Sequence, residues 1–130
     1  MPQDRLSGAE AEEFGHEFGR RVAAAIGAEM LGTSSNECLL NGELVVIKCA
    51  RLHCRTVGVT DKMMERIRAV LGVFEQDGGS YAVWRLSVER YIQLSRHRIP
   101  DGGATTAGQQ GMVNFSDFER EGEFVATVRP

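Results

Sequence analysis

The dipeptide Asn41-Gly42 constrains the fold of this chain more than any other feature of its sequence. It separates two largely apolar runs, residues 36–40 and 43–51. Asn-Gly between such runs is the strongest short-range signal for a β-hairpin with a two-residue turn. The second run, ELVVIKCAR, is nearly continuous in its apolar character, which is typical of a strand covered on both faces. The sequence therefore predicts a hairpin whose second strand lies inside a sheet.

Two other segments have the periodicity of amphipathic helices. Residues 9–31 predict a helix that begins near Ser7 and ends near Gly32. The apolar stripe that starts at Met64 and ends at Phe74 predicts a second helix, capped by Thr60 or Asp61 and stopping at residues 77–79. A strand over 80–86, a short helix over 87–94 and a docked terminal element within 112–129 complete the prediction.

This order of elements predicts one mixed α/β domain over residues 1–130, with a central sheet flanked by helices. Residues 96–111 are rich in Gly and Thr and have no apolar periodicity, so they predict a flexible loop. No run of 18 apolar residues exists to span a membrane, and residues 1–7 lack the features of a leader. A cytoplasmic location is the resulting expectation.

Three cysteines, Cys38, Cys49 and Cys54, are an odd number without the C-x2-C spacing of zinc sites. They predict reduced thiols with structural or incidental roles rather than a disulfide framework.

Positive charge is concentrated in the middle of the chain. Residues 48–98 hold ten basic and five acidic groups, whereas the chain as a whole has a net charge of −3. Thirteen of the 15 basic residues are arginine, which suits planar contacts with phosphates. The predicted phosphate contacts are Arg51, Arg55, Lys62, Arg66 and Arg68. The alternative is a solvated basic face whose charge is balanced by acids elsewhere in the fold.

A two-residue turn at Asn41-Gly42 also fixes the register of the hairpin, because it places Glu37 directly opposite Val46. Side chains alternate along a strand, so Val46 and Lys48 share a face, and Glu37 joins them as a diagonal neighbour of Lys48. An acid and a lysine held together on a central strand suit metal-assisted hydrolysis of a phosphodiester.

Glu37 on one strand and Val46-Ile47-Lys48 on the next resemble the motif of the PD-(D/E)XK restriction-endonuclease-like superfamily. That motif places an acid on one strand and an acid-x-lysine on the next. The resemblance covers roughly residues 9–95 and implies a restriction-endonuclease-like core. It also implies that Glu37 is the first acid and Lys48 the catalytic lysine.

Val46 occupies the position of the second acid in this motif. Members of the superfamily sometimes recruit an acid from an adjoining helix, and Glu17 is the first candidate for that role, with Glu65 next. The resemblance thus implies Mg²⁺ or Mn²⁺ held by Glu37 and Glu17, catalysis by Glu37, Glu17 and Lys48, and DNA as the substrate. A nuclease of this size is expected to cut both strands as a homodimer.

A second function fits the same residues. A domain that lost its acid at position 46 is expected to bind nucleic acid or protein without cleaving it. The two residues also have purely structural interpretations, in which Lys48 lies at a strand end with its ammonium in water and Glu37 is an exposed strand residue. The packing around Val46 distinguishes the two functions.

Overall fold

The predicted hairpin forms, and it lies within a six-stranded sheet. The structure, a computed structural model, describes residues 17–32, 36–98 and 110–129. The hairpin strands are β2 (Glu37–Leu40) and β3 (Glu43–Ala50), preceded by β1 (Glu29–Met30). The other strands are β4 (Thr56–Thr60), β5 (Ala69–Glu75), β6 (Tyr81–Ser87), β7 (Arg96–Arg98), β8 (Gln110–Asn114) and β9 (Glu123–Val128). The helices are α1 (17–26), α2 (Asp61–Met64), α3 (Val88–Leu94) and α4 (Phe115–Glu121).

The main sheet has the strand order β1-β2-β3-β5-β6-β9. Its neighbouring strands are antiparallel except for β3 and β5, which run parallel. The prediction of a mixed sheet flanked by helices is therefore confirmed. Val45, Val46 and Ile47 are all buried, so the second strand of the hairpin is covered on both faces as its apolar run predicts.

The two faces of this sheet are covered by different layers. On one face α1 packs Phe18 and Val22 against Val45 and Ile47 of β3. On the other face α2, α3, α4 and a small sheet of order β4-β8-β7 cover Val46. Val46 and Lys48 alternate with Val45 and Ile47 along β3, so they belong to this second face.

The prediction of a helix that runs to residues 77–79 is correct for the first turn and wrong for the rest. Thr60 does cap α2, because its hydroxyl accepts a hydrogen bond of 3.2 Å from the Met63 amide. The helix ends at Met64, however, and the apolar residues that follow form strand β5. From Ala69 to Phe74 every residue is buried, and parallel pairing with β3 satisfies the backbone there. A run buried on both faces has no solvent side, so its periodicity does not identify a helix.

Two other predicted boundaries also differ. Helix α1 ends at residue 26, and Gly27 follows with a φ of 79°, the left-handed conformation that favours glycine after a helix. The predicted start near Ser7 lies outside the described residues. The segment predicted as a loop over 96–111 contributes β7 at one end and the start of β8 at the other. Residues 99–109 lie outside the described residues.

The other predicted elements agree with the structure, whereas β4 was not predicted. The strand over 80–86 is β6, the short helix over 87–94 is α3 with Ser87 as its cap, and the tail docks through α4 and β9. No helix in the described part of the chain has the length and apolar character needed to cross a membrane.

Candidate functional site

The turn of the hairpin sets the position of Glu37. Asn41 and Gly42 have φ angles of 53° and 79°, the positive values that a type I′ turn requires at both central positions. The register places Glu37 opposite Val46, as the sequence predicts. Glu37 is thus on the face of the sheet that also carries Val46 and Lys48.

The Glu37 carboxylate is bound by an arginine. Arg66 Nη2 donates a hydrogen bond to Glu37 Oε1 over 2.6 Å. Glu37 is buried, with 8 % of its surface exposed, and Arg66 reaches it from the segment that joins α2 to β5. Both residues are predicted from the sequence to be functional, but their contact is not. The prediction placed Arg66 in a helix, and that helix ends at Met64.

Val46, which stands where the motif has its second acid, is part of the apolar core. None of its surface is exposed, and it packs in the cluster that contains Val57, Val59 and Met63. An apolar environment strongly disfavours an ionised carboxylate. The surroundings of this position therefore suit the valine that is present and oppose an acid.

Lys48 lies in β3, two residues before the end of the strand and opposite Gly72 of β5. Its side chain is partly buried. Burial lowers the pKa of the Lys48 ammonium, and the electrostatic interaction with the adjacent Cys49 has a smaller, opposite effect. The interpretation of Lys48 as a residue whose ammonium lies in water stays a prediction, and its partial burial disfavours the charged form.

Glu17, the first candidate for the second acid, does not join Glu37. Glu17 is exposed on α1, the helix that covers the opposite face of the sheet from Val46. Glu65 is exposed at the C-terminal end of α2. Within the described residues, no three side chains of His, Cys, Asp or Glu are grouped to hold a metal ion.

Among the described residues, the contacts of Glu37 do not favour a site for Mg²⁺ or Mn²⁺. These ions take several oxygen ligands, whereas the acid provided by β2 is bound by a guanidinium and β3 provides a valine at position 46.

The five predicted phosphate contacts form two groups rather than one patch. Arg51 and Arg55 follow the C-terminal end of β3, whereas residues 62–68 precede β5. Since β3 and β5 run parallel, the two groups lie at opposite ends of these strands. The strand between them, from Ala69 to Phe74, is about 17 Å long.

The group at the C-terminal end of β3 is engaged in internal contacts. Arg55 donates a hydrogen bond of 3.1 Å to the Glu75 carbonyl, and its guanidinium lies 4.2 Å from the centre of the Phe115 ring. Arg51 forms a side-chain hydrogen bond with Tyr81.

The group before β5 is more open. Lys62, Arg66 and Arg68 all have exposed side chains, and the Arg68 amide donates a hydrogen bond of 2.7 Å to the Leu44 carbonyl. That bond holds the segment beside the hairpin.

The three cysteines are free thiols in different surroundings. Cys38 is buried, Cys49 is partly buried and Cys54 is exposed. Burial raises the pKa of the Cys38 thiol to about 11 and that of Cys49 to about 12. At pH 8 the thiolate fraction of Cys49 is therefore on the order of 10⁻⁴, and the thiolate is the reactive form.

We expect iodoacetamide to alkylate Cys54 well before Cys38 and Cys49 in the folded protein at pH 8. Mass spectrometry of proteolytic peptides, sampled over time, measures the order of labelling. In urea all three cysteines should react at similar rates, which is the control. Labelling of Cys49 as fast as Cys54 in the folded protein would contradict the burial of the Cys49 thiol.

Comparison of the chain with protein-family models, with curated proteins and with solved structures finds no match. The function therefore has to be inferred from the contacts of Glu37, Val46, Lys48 and the basic segment before β5.

Proposed function

We propose that this chain is a nucleic-acid-binding domain with a nuclease-like core that does not cleave the strand it binds. The observation that carries this proposal is the state of the two acid positions. Arg66 binds Glu37 at 2.6 Å, and Val46 is fully buried as part of an apolar cluster. A hard divalent cation needs carboxylate oxygens at this place, whereas the one carboxylate present is paired with a guanidinium and the second position holds a valine.

Nucleic acid is the proposed ligand because the cations near Glu37 suit phosphates. Lys62, Arg66 and Arg68 are exposed within one seven-residue segment, and contacts of lysine and arginine with phosphates supply most of the affinity for nucleic acid that does not depend on sequence. Asp61 and Glu65 lie in or beside the same segment, so its net charge is small. We therefore expect weak binding that is highly sensitive to salt.

Binding and cleavage can be tested on the same substrate. The protein should bind a labelled DNA duplex of about 20 base pairs, with a logarithmic salt dependence of about −2 to −3 for two to three phosphate contacts. Fluorescence anisotropy from about 50 to 200 mM NaCl measures this slope. The same duplex, and single-stranded DNA and RNA of equal length, should stay intact with Mg²⁺ or Mn²⁺.

A matched pair of variants locates the interface. Exchanging Lys62 and Arg68 for alanine should lower the affinity roughly tenfold and reduce the slope by about 2. Exchanging Arg20 and Arg21 for alanine removes the same charge from exposed positions of α1 on the other face of the sheet, so it should have a much smaller effect. Equal losses in the two variants would show that only net charge matters.

Two results would overturn the proposal. Metal-dependent cutting that is lost in both Glu37→Ala and Lys48→Ala would establish a nuclease. A folded protein that binds none of the three nucleic acids at about 50 mM NaCl would leave a protein-binding role as the better account. The homodimer expected for cleavage of both strands stays a prediction, and sedimentation at several concentrations tests it.

A further inference from the structure

The ion pair between Glu37 and Arg66 is unequally exposed. The side chain of Glu37 is 10 % exposed, whereas that of Arg66 is 53 % exposed. One nitrogen of the guanidinium, Nη2, is bound to Glu37 Oε1 and also lies 3.5 Å from Met63 Sδ. One end of the guanidinium is thereby fixed at the buried acid, while more than half of the arginine side-chain surface faces solvent.

We infer that Glu37 is a positioning residue, which holds Arg66 so that the outward N–H groups of its guanidinium bind a phosphodiester of nucleic acid. This inference rests on the proposed function and assigns the contact within it. A guanidinium has five N–H donors in a rigid fork that matches two phosphate oxygens. Two or three of them remain available when one nitrogen serves the carboxylate.

In this arrangement Arg66 has the electrostatic role that a metal ion has beside the first acid of a nuclease. Both cations balance the acid on the hairpin and attract a phosphate. An arginine does not activate a water molecule as a bound metal does, so the same site binds the backbone without a catalytic step.

The burial of Glu37 argues against an incidental surface ion pair. Exposed pairs contribute little and leave both side chains mobile. Glu37 instead occupies a buried position on a strand whose register is set by the hairpin turn. A rigidly held acceptor restricts the rotamers of Arg66 before the ligand arrives, and such preorganisation increases affinity.

A positioning role for Glu37 predicts that removing its negative charge weakens DNA binding, the opposite of the ordinary effect of such a change. Removing a negative charge from a protein ordinarily strengthens its binding to a polyanion. Glu37→Met removes both the charge and the acceptor, so it should weaken DNA binding, by roughly threefold to tenfold, because Arg66 loses its orientation. Glu37→Gln keeps an acceptor oxygen and should retain most of the affinity.

Glu43→Met is the matched control. Glu43 lies on the same hairpin, is partly exposed and pairs with Arg85 at 2.9 Å, so the substitution removes the same charge from an ion pair outside the site. It should leave DNA affinity unchanged or raise it slightly. The probe is again the labelled DNA duplex, and circular dichroism during heating verifies that each variant is folded.

A double variant, Glu37→Met with Arg66→Ala, tests the positioning role even if Glu37→Met is less stable. Arg66→Ala should lower the affinity roughly tenfold and reduce the salt slope by about 1. In the Arg66→Ala background, Glu37→Met should no longer weaken binding, since there is no guanidinium left to orient. Equal losses with and without Arg66 would overturn the inference.

Different results would overturn the proposed function and the positioning role. If the unaltered protein binds no nucleic acid, the proposed function fails. If it binds, and Glu37→Met binds as tightly as Glu43→Met or tighter, then only the positioning role fails, and Arg66 is an ordinary surface cation.

Discussion

Replacing Val46 with aspartate, the residue type that the PD-(D/E)XK motif would place there, is expected to lower the free energy of unfolding by about 4 kcal/mol or more. Val46 is completely buried, and its neighbours in the cluster include Val57, Val59 and Ile67. An aspartate there exchanges apolar contacts for a buried carboxyl group opposite the Glu37 carboxylate, whose Arg66 partner is already engaged. Urea unfolding followed by circular dichroism measures the change.

The pH dependence of the stability of Val46→Asp shows whether the buried charge causes the destabilisation. Burial raises the pKa of a carboxyl group in the folded state above its ordinary value near 4. The folded variant then binds a proton that the unfolded chain releases, so its stability falls as the pH rises from about 4 through the raised pKa. We therefore expect Val46→Asp to be less destabilised, relative to the unaltered protein, at pH 4 than at pH 8.

Two controls separate charge from volume in this experiment. Val46→Ala removes two methyl groups without adding a charge and should cost less, about 1 to 3 kcal/mol. Leu44→Asp places the same acid on the same face of β3 at a partly exposed position and should also cost less. A Val46→Asp protein as stable as the unaltered one would show that position 46 accepts an acid and would revive the metal site.

The second large effect is expected at Gly72. This residue lies between Lys48 and Trp84 in the sheet, and a Cβ atom there would lie 2.5 Å from Phe74 Cε2 and 2.8 Å from Phe118 Cε1. Both rings are fully buried, so they have little room to move. Gly72→Ala should therefore lower the free energy of unfolding by about 1 to 3 kcal/mol.

Gly58→Ala is the matched control for this substitution. Gly58 also lies in a strand, and a Cβ atom there would approach Met112 Sδ at 2.7 Å and Gln110 Oε1 at 2.9 Å. Those atoms belong to flexible side chains, which can shift at small cost. Chemical denaturation of both variants should show a clear loss for Gly72→Ala and little change for Gly58→Ala. Similar losses would indicate that the rings of Phe74 and Phe118 do not limit the space at Gly72.

The proposed site lies at the margin of a face that is otherwise core. The face of β3 that carries Val46 and Lys48 is mostly covered by α2, α3, α4 and the small sheet. At its margin, the buried carboxylate of Glu37 contacts Arg66, whose side chain is exposed to solvent. The proposed binding function therefore depends on one margin of this face, while Val46 contributes to the stability of the core.

The sequence by itself determined the hairpin, its register and the interior position of its second strand. Asn41-Gly42 specifies a turn with two positive φ angles, and a two-residue turn leaves one register for the strands, so Glu37 could be placed opposite Val46 before the fold was known. The continuous apolar residues of β3 predicted a strand covered on both faces. These are local properties, governed by neighbours in the chain.

Only the tertiary structure decided which residues surround Glu37. Residues 69–75 became a strand because β3 offered a parallel partner and both faces were covered, and a pairing between distant segments is not visible in the periodicity of either one. The short helix α2 then placed Arg66 beside Glu37, 29 residues away in the chain. The sheet also separated Glu17 from Glu37, because the face that a helix covers depends on packing, whereas the sequence reports only that the helix has an apolar side.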